Sequence, residues 1–178
     1  MDTLVVGAGV MGRWAGRVFR DGFDADLSFL DRDPETAREA AAAVGGRARE
    51  AAIATDVDPD SDETGYDVVC LAVPIPATAE AVRTYGPHAR EAVVDVTGTM
   101  AEPVAAMVDL AGRERASLHP LFAPDSEPGN IPVVVEEWGP TVDGLLDALE
   151  GRGNRVFETT PAEHDAAMET VQARTHAA

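Results

Sequence analysis

The sequence predicts an α/β protein with a doubly wound, mostly parallel sheet, and three observations lead to this fold class. Strand-like and helix-like segments alternate along the chain, which is typical of parallel sheets covered on both faces. A glycine-rich turn joins the first strand to the first helix. In addition, 45% of the 178 residues are hydrophobic, which suffices for the core of one domain with a small appendage.

The alternation can be followed element by element. Short apolar runs predict strands at residues 3–6, 26–30, 67–72, 92–96, 116–119, 131–135 and 154–158. Helices are predicted at residues 11–20, from Pro34 to the Gly45-Gly46 pair, from Pro74 to about residue 85, and at 99–110, 141–150 and 161 onward. Asp33 is the expected N-cap of the second helix, and capping boxes are expected at 99–102 and 160–163. The acidic residues 55–65 are predicted to form a surface loop.

The first turn reads Gly-Ala-Gly-Val-Met-Gly, a GxGxxG run placed between a strand and a helix. In that context Gly7 allows the tight turn, Gly9 lets the backbone approach a pyrophosphate, and Gly12 lets the helix pack closely on the strand. Val10 and Met11 open the helix, whose free N–H groups and dipole favour phosphate. The sequence therefore predicts a Rossmann dinucleotide-binding domain.

Asp31 ends the second strand, where the fingerprint expects an acid for the adenosine ribose. A carboxylate would repel a 2′-phosphate, which favours NAD over NADP. The neighbouring Arg32 leaves NADP open, since an arginine can accommodate that phosphate or stack on adenine. Val73 and Pro74 follow the next long strand at the expected switch point of the sheet, where ligands bind.

Two later segments carry polar residues that core packing does not explain. His119 ends a predicted strand, facing the cofactor crevice, and a histidine has the pKa range for proton transfer near neutral pH. His164 is expected to serve the start of the last helix. One stripe of that helix is polar at helical spacing, and it contains Asp165, Met168, Glu169, Gln172 and His176.

These motifs together resemble the prephenate dehydrogenase family along essentially the whole chain. The matching segments are the starting GAGVMG, Leu71-Ala72-Val73-Pro74, Asp95-Val96-Thr97-Gly98-Thr99-Met100-Ala101-Glu102-Pro103, Ser117-Leu118-His119-Pro120-Leu121-Phe122, and Thr160-Pro161-Ala162-Glu163-His164-Asp165 followed by Gln172-Ala173 and His176.

The resemblance implies an NAD-dependent oxidative decarboxylation of prephenate or arogenate in tyrosine biosynthesis. It makes His119 the base that accepts the proton of the substrate hydroxyl, and places His176 and Gln172 at the substrate. Gly98 stands where the family commonly has a serine that contacts the substrate hydroxyl and the base. Thr97, in a catalytic role, or Thr99, as a substrate contact, could supply that hydroxyl, although Thr99 is also the expected N-cap.

The family continues into a helical domain that forms the dimer and supplies a substrate-binding arginine. We therefore expect residues 1–158 to form the Rossmann domain and residues 159–178 the first helix of that second domain, apparently truncated, with a homodimer as the expected assembly. Two other functions stay open. One is a different reductase of the same nucleotide-binding class, acting on an imino acid or a deazaflavin, and the other is a catalytically silent NAD-binding or redox-sensing module.

The charge of the chain is strongly negative, at −18, with 32 acidic residues against 14 arginines and no lysine. Carboxylate-rich surfaces are used by halophiles, so we expect a halophilic protein that is stable only in molar salt. No basic patch is present to bind nucleic acid. The absence of a signal peptide or a long apolar run, and the single Cys70 predicted to be buried, indicate a cytoplasmic protein without a membrane segment. No metal site is expected.

Overall fold

The computed structural model describes residues 1–49 and 65–175, with side chains up to residue 170. Its centre is an eight-stranded sheet in the order β3-β2-β1-β4-β5-β6-β7-β8. Strands β1 to β6 run parallel, whereas β7 pairs antiparallel with β6 and parallel with β8. The predicted fold class is confirmed, and the expected surface loop at 55–65 lies outside the described residues except for Gly65.

The strands follow the predicted apolar runs closely. They are β1 Asp2–Val6, β2 Asp26–Leu30, β3 Arg47–Arg49, β4 Tyr66–Leu71, β5 Ala89–Asp95, β6 Glu114–Leu118, β7 Asn130–Glu137 and β8 Arg155–Glu158. The short edge strand β3 was not predicted, because its three exposed residues carry no hydrophobic pattern and pair only with β2.

The helices lie on both faces of the sheet. They are α1 Val10–Phe23, α2 Pro34–Val44, α3 Ile75–Tyr85, α4 Ala101–Met107, α5 Pro140–Gly151 and α6 Pro161–Thr175, with short 3-10 turns at Gly86–His88 and Pro124–Ser126. Asp33 is the N-cap of α2 as predicted, since its side chain accepts a hydrogen bond from the backbone N–H of Glu35 at 3.1 Å.

Alternation along the buried strands divides the core between the two faces. In β4, Val68 and Cys70 pack with α1, α2 and α5, whereas Val69 and Leu71 pack with α3 and α4. The thiol of Cys70 is free and buried, as predicted. None of the described helices is long and apolar enough to cross a membrane. Within the described part of the chain, no group of three or more histidine, cysteine or acidic side chains could hold a metal ion.

Candidate active site

Two of the three glycines in the loop after β1 are required by the packing of the protein itself, and the third is not. Gly7 has a φ of +89°, and a Cβ there would lie 2.4 Å from the carbonyl oxygen of Ala72. A Cβ on Gly12 would lie 1.8 Å from the carbonyl oxygen of Gly7. A Cβ on Gly9, in contrast, would meet no atom within 4 Å. Gly9 is therefore not required by the protein's own packing, and it leaves open space beside the loop.

This open space lies at the N-terminus of α1. Gly9 is the N-cap and offers no side-chain acceptor, and the first turn contains no acidic residue although the whole chain has 32. Val10 is 69% exposed, and Met11 is half-buried against the core. Unpartnered first-turn N–H groups with the positive end of the helix dipole favour an anion. The residues present therefore fit the pyrophosphate of a dinucleotide.

Asp31 is fixed beside this loop. Its Oδ2 accepts the backbone N–H of Ala8 at 2.8 Å, and its Oδ1 accepts the backbone N–H of Asp33 at 3.0 Å. Arg32 is exposed and makes no hydrogen bond or ion pair with another described residue. The structure thus brings the glycine loop and the predicted ribose acid together, as the fingerprint requires.

The turn between β4 and α3 forms the next wall of the cleft. The strand order reverses between β1 and β4, which is where ligands bind in open α/β sheets. Val73 and Pro74 occupy this turn, and Pro74 is the N-cap of α3. Ile75 is 42% exposed, and its Cδ1 lies 3.0 Å from the position of a Cβ on Gly98. The turn therefore reaches from the glycine loop toward the end of β5.

His119 follows β6 at the same edge of the sheet and is hydrogen-bonded to His164 of α6, which in turn is hydrogen-bonded to Asp165. Its Nδ1 lies 2.9 Å from Nε2 of His164, and Nδ1 of His164 lies 2.8 Å from Oδ1 of Asp165. A Cβ on Gly98 would lie 3.7 Å from Nε2 of His119. The free ring nitrogen of His119 therefore faces Gly98.

Asp165 also caps α4, which corrects a prediction. Its Oδ1 accepts the backbone N–H of Met100 at 3.0 Å, and its Oδ2 accepts that of Ala101 at 3.1 Å. Helix α4 begins at Ala101 with Met100 as N-cap and without a local side-chain cap. The predicted N-cap role of Thr99 is wrong, because the helix begins one residue later than predicted and a carboxylate from a distant helix accepts the N–H groups at its start.

The second predicted capping box is present at the start of α6. The hydroxyl of Thr160 accepts the backbone N–H of Glu163 at 3.2 Å, and the Glu163 carboxylate accepts the backbone N–H of Thr160 at 3.2 Å. This reciprocal pair fixes the first turn of α6. It thereby sets the direction in which His164 and Asp165 leave the helix.

The surroundings of His119 favour its neutral form. Burial and the neighbouring His164 lower the pKa of His119 to about 4, although Asp165 acts in the opposite direction. Burial opposes ionisation of Asp165, but hydrogen bonds from His164 and from the backbone of Met100 and Ala101 hold the pKa of this carboxyl below its usual value. The site therefore pairs a neutral imidazole with a carboxylate that only accepts hydrogen bonds.

Thr97 does not present its hydroxyl to the cleft. The side chain is 4% exposed, and its Oγ1 lies 2.7 Å from Oδ1 of Asp95 and 3.2 Å from the carbonyl oxygen of Thr99. The predicted catalytic role of Thr97 is therefore not supported, because its hydroxyl donates a hydrogen bond to the buried Asp95. Thr99 is half-buried, and its own hydroxyl makes no hydrogen bond with another described residue.

Comparison with known proteins gives two informative relatives. The chain is 36% identical over 122 residues to the 4-amino-4-deoxyprephenate dehydrogenase of Streptomyces pristinaespiralis, which covers 63% of this chain and 40% of that protein. It is 27% identical over 189 aligned positions to a probable arogenate/prephenate dehydrogenase of Methanocaldococcus jannaschii, covering 98% and 40%. No family model matches. The chain spans 30 to 40% of the length of the curated relatives that it matches.

Solved structures show the same fold. Prephenate dehydrogenase from A. aeolicus, in complex with hydroxyphenyl propionate and NAD+, superposes with a TM-score of 0.73 at 19% identity, covering 93% of this chain and 62% of that one. Synechocystis arogenate dehydrogenase gives a TM-score of 0.68 at 24% identity, covering 94% and 62%. In the parts that align, the chain is similar to prephenate and arogenate dehydrogenases in sequence and in fold. The fold is also shared with other kinds of enzyme, since a reductive aminase from Aspergillus terreus gives a TM-score of 0.65 at 15% identity.

Two side chains that the resemblance to prephenate dehydrogenases placed at the substrate lie outside the part of the chain that the structure describes. Gln172 lies in α6, but its side chain is outside the described part, and His176 lies outside the described residues altogether. Their roles stay predictions. The glycine loop, Asp31, the Val73-Pro74 turn and His119 do meet at one edge of the sheet.

The sequence reasoning missed the contact that His164 and Asp165 make with His119. His164 was expected to serve the helix start, yet it is 3% exposed and its ring packs edge-on against that of His119, with centroids 5.0 Å apart. One signal was available. A histidine and an aspartate directly after a capping box lie in the first turn, where side chains reach the preceding elements.

Proposed function

We propose that this chain contains the cofactor-binding site and the general base of an NAD-dependent dehydrogenase that oxidatively decarboxylates prephenate or arogenate. The observation that carries the proposal is the neutral His119, whose Nε2 faces Gly98 at the sheet edge that also holds the glycine loop. A base of this kind beside a dinucleotide site suits the oxidation of a hydroxyl group. The names of the relatives support the substrate class.

Bound NAD would supply the acceptor for a hydride from the substrate ring. In this proposal the N-terminus of α1, freed by Gly9, holds the pyrophosphate, and Asp31 accepts hydrogen bonds from the adenosine ribose. The turn at Val73 and Pro74 borders the bound cofactor. These residues bind and orient, and they contribute no chemical step.

His119 handles the proton of the reaction. Its Nε2 accepts the proton of the substrate 4-hydroxyl as the carbon bearing that group loses hydride and the C–O bond becomes a carbonyl. When the ring carboxylate leaves as CO2, the electrons of the broken C–C bond restore the aromatic ring, and the carbonyl oxygen becomes a phenolate. His119 can return its proton to that oxygen, so the enzyme regains its starting state and the protons balance.

Thr99 is the residue we propose to contact the substrate hydroxyl in place of the missing serine. It adjoins Gly98, and its hydroxyl makes no hydrogen bond with another described residue. A homodimer, which the sequence resemblance implies, and a cytoplasmic location, which the single cysteine favours, complete the proposal.

A second candidate substrate is 4-amino-4-deoxyprephenate. The relative with that activity shares 36% identity with the aligned part of this chain, and Gly98 places no side chain next to Nε2 of His119. A neutral amine could donate one N–H to Nε2 of His119 as a hydroxyl does.

A substrate panel with a matched pair of variants tests the proposal. Protein from the intact natural gene is assayed for NADH formation in molar KCl with prephenate, arogenate and 4-amino-4-deoxyprephenate. His119→Asn should lower turnover by about 10²- to 10⁴-fold while leaving NAD affinity unchanged. His88→Asn is the control, since His88 is buried beside β5 at the opposite end of the sheet.

Three outcomes would contradict the proposal. Wild-type turnover in His119→Asn would show that His119 is only a strand-end residue. Reduction of an imino acid or a deazaflavin without oxidation of any panel substrate would favour another reductase of this class. Tight NAD binding without turnover of either kind would favour a silent NAD-binding module.

A further inference from the structure

The first turn of α6 places an imidazole and a carboxylate in line behind His119. The two contacts are 2.9 Å, between Nδ1 of His119 and Nε2 of His164, and 2.8 Å, between Nδ1 of His164 and Oδ1 of Asp165. We propose that His164 and Asp165 form a positioning pair that keeps the proton of His119 on Nδ1 and leaves the lone pair on Nε2. The inference rests on the proposed function, in which Nε2 is the base.

The tautomer of His119 follows from which atoms donate and which accept in the hydrogen bonds that connect His119, His164 and Asp165. Asp165 already accepts two backbone N–H groups and holds its charge, so it can only accept from Nδ1 of His164. A neutral His164 that donates through Nδ1 must accept through Nε2. Nδ1 of His119 is then the donor, and Nε2 of the neutral His119 carries no proton.

The opposite arrangement would disable the base. If His164 were protonated on both nitrogens, it would donate to Nδ1 of His119, and the proton of His119 would have to sit on Nε2. Asp165 and His164 are the titratable groups that act on the His119 ring in the described part of the chain. The hydrogen-bonding role of His164 therefore determines whether Nε2 of His119, which faces Gly98, carries the proton.

Packing holds the pair in place. His164 is 3% exposed, and its ring meets that of His119 at 72°. The backbone N–H of His119 donates to the carbonyl oxygen of Pro132 at 3.1 Å, which fixes the base to β7. Asp165 is held in turn by the N-terminus of α4. Turning either ring would break the hydrogen bond between His119 and His164 or that between His164 and Asp165, so the pair is preorganised for one tautomer.

Nitrogen-15 NMR of the ring nitrogens tests the inference on the full 178-residue chain. Long-range proton–nitrogen correlations assign each ring nitrogen as protonated or unprotonated, and the measurement needs neither cofactor nor substrate. At neutral pH we expect His119 to show a protonated Nδ1 and an unprotonated Nε2. A proton on Nε2 of His119 in the wild-type chain would overturn the inference, whatever the variants do.

Two substitutions of His164 separate hydrogen bonding from packing. His164→Gln keeps an acceptor oxygen that can reach Nδ1 of His119, so the Nδ1–H tautomer should persist. His164→Phe keeps a ring but no acceptor, so His119 should lose this tautomer in favour of Nε2–H. Glu169→Gln on the exposed side of α6 is the control and should change nothing. The His88 signals, far from the pair, serve as an internal reference.

The tautomer of His119 in the two His164 variants tests the positioning role. An unchanged His119 tautomer in a folded His164→Phe would contradict it, because packing alone would then be sufficient. If that variant does not fold, the wild-type spectrum and His164→Gln still decide, since loss of Nδ1–H in His164→Gln would also contradict it.

Enzyme activity supplies an independent test of the positioning role. In protein that turns over substrate, His164→Phe should lower kcat about 10²-fold with little change in KM for NAD, and His164→Gln should restore most of the loss. An Nδ1–H tautomer without any dehydrogenase activity would refute the proposed function and leave the inference standing. Activity with an Nε2–H tautomer would do the reverse.

Discussion

Asp95 is a carboxylate with no solvent exposure at the end of β5. Its Oδ1 accepts the hydroxyl and the backbone N–H of Thr97, whereas its Oδ2 has no partner among the described residues. Burial raises the pKa of Asp95 to about 6, although Thr97 and the hydroxyl of Ser117 act to lower it. Ser117 lies opposite in the β5–β6 register. The site next to the proposed base therefore contains a charge that the protein solvates poorly.

Asp95→Asn should change the pH dependence of stability. The folded state keeps the Asp95 proton up to about pH 6, whereas the unfolded chain loses it near 3.8. Wild-type stability from this group is thus present below the unfolded pKa and lost as pH rises through 6. Relative to wild type, Asp95→Asn should gain on the order of 1–3 kcal/mol in unfolding free energy between pH 4 and pH 8. Denaturant unfolding at several pH values measures this, and a difference independent of pH would contradict it.

Gly9 and Gly12 belong to one motif but should respond differently to substitution by alanine. Gly9→Ala adds a methyl group to open space with φ near −69°, so the fold should be unaffected and NAD affinity should fall about tenfold or more. Gly12→Ala forces a methyl group against the carbonyl of Gly7 and should cost about 3 kcal/mol or more of stability. Calorimetric titration and thermal unfolding separate the two effects. Unchanged NAD affinity in a folded Gly9→Ala would count against the pyrophosphate site.

At the scale of elements, α4 is capped from another helix. Asp165→Ala should lower the free energy of unfolding by about 1–2 kcal/mol, because the N–H groups of Met100 and Ala101 lose their acceptor. Thr99→Ala should change it by less than about 0.5 kcal/mol, since Thr99 is not the N-cap. Thr160→Ala, in the local box of α6, is the positive control, with an expected cost of about 1 kcal/mol. Equal losses in Thr99→Ala and Asp165→Ala would contradict the cap assignment.

The two capping boxes show what local sequence can and cannot predict about an element. Thr160 and Glu163 pair as the four-residue motif predicts, and no other described residue accepts from their N–H groups. The same motif does not form at Thr99, where the acceptor at the start of α4 comes instead from a residue 65 positions away along the chain. Helix starts are predictable from sequence where the partner is local, and a tertiary partner overrides the motif elsewhere.

The whole fold was more predictable than the site. Strand and helix periods are local, and a parallel sheet brings the ends of β1, β2, β4, β5 and β6 to one edge, so the meeting of Gly7, Asp31 and His119 follows from topology. The contact between His119 and His164 does not follow, since it depends on how α6 packs after β8. The hydroxyl of Thr97 was likewise predicted to be available, and the buried Asp95 that takes it is not recognisable from spacing.

The central claim for the whole molecule is a dinucleotide site built by the glycine loop and Asp31. Calorimetric titration of the 178-residue chain with NAD and with NADP, in molar KCl to screen its charge of −18, tests it most directly. The account predicts binding of NAD and weaker binding of NADP, because the carboxylate of Asp31 would repel a 2′-phosphate. Tighter binding of NADP would assign that phosphate to Arg32, and the absence of binding by either cofactor would contradict the account.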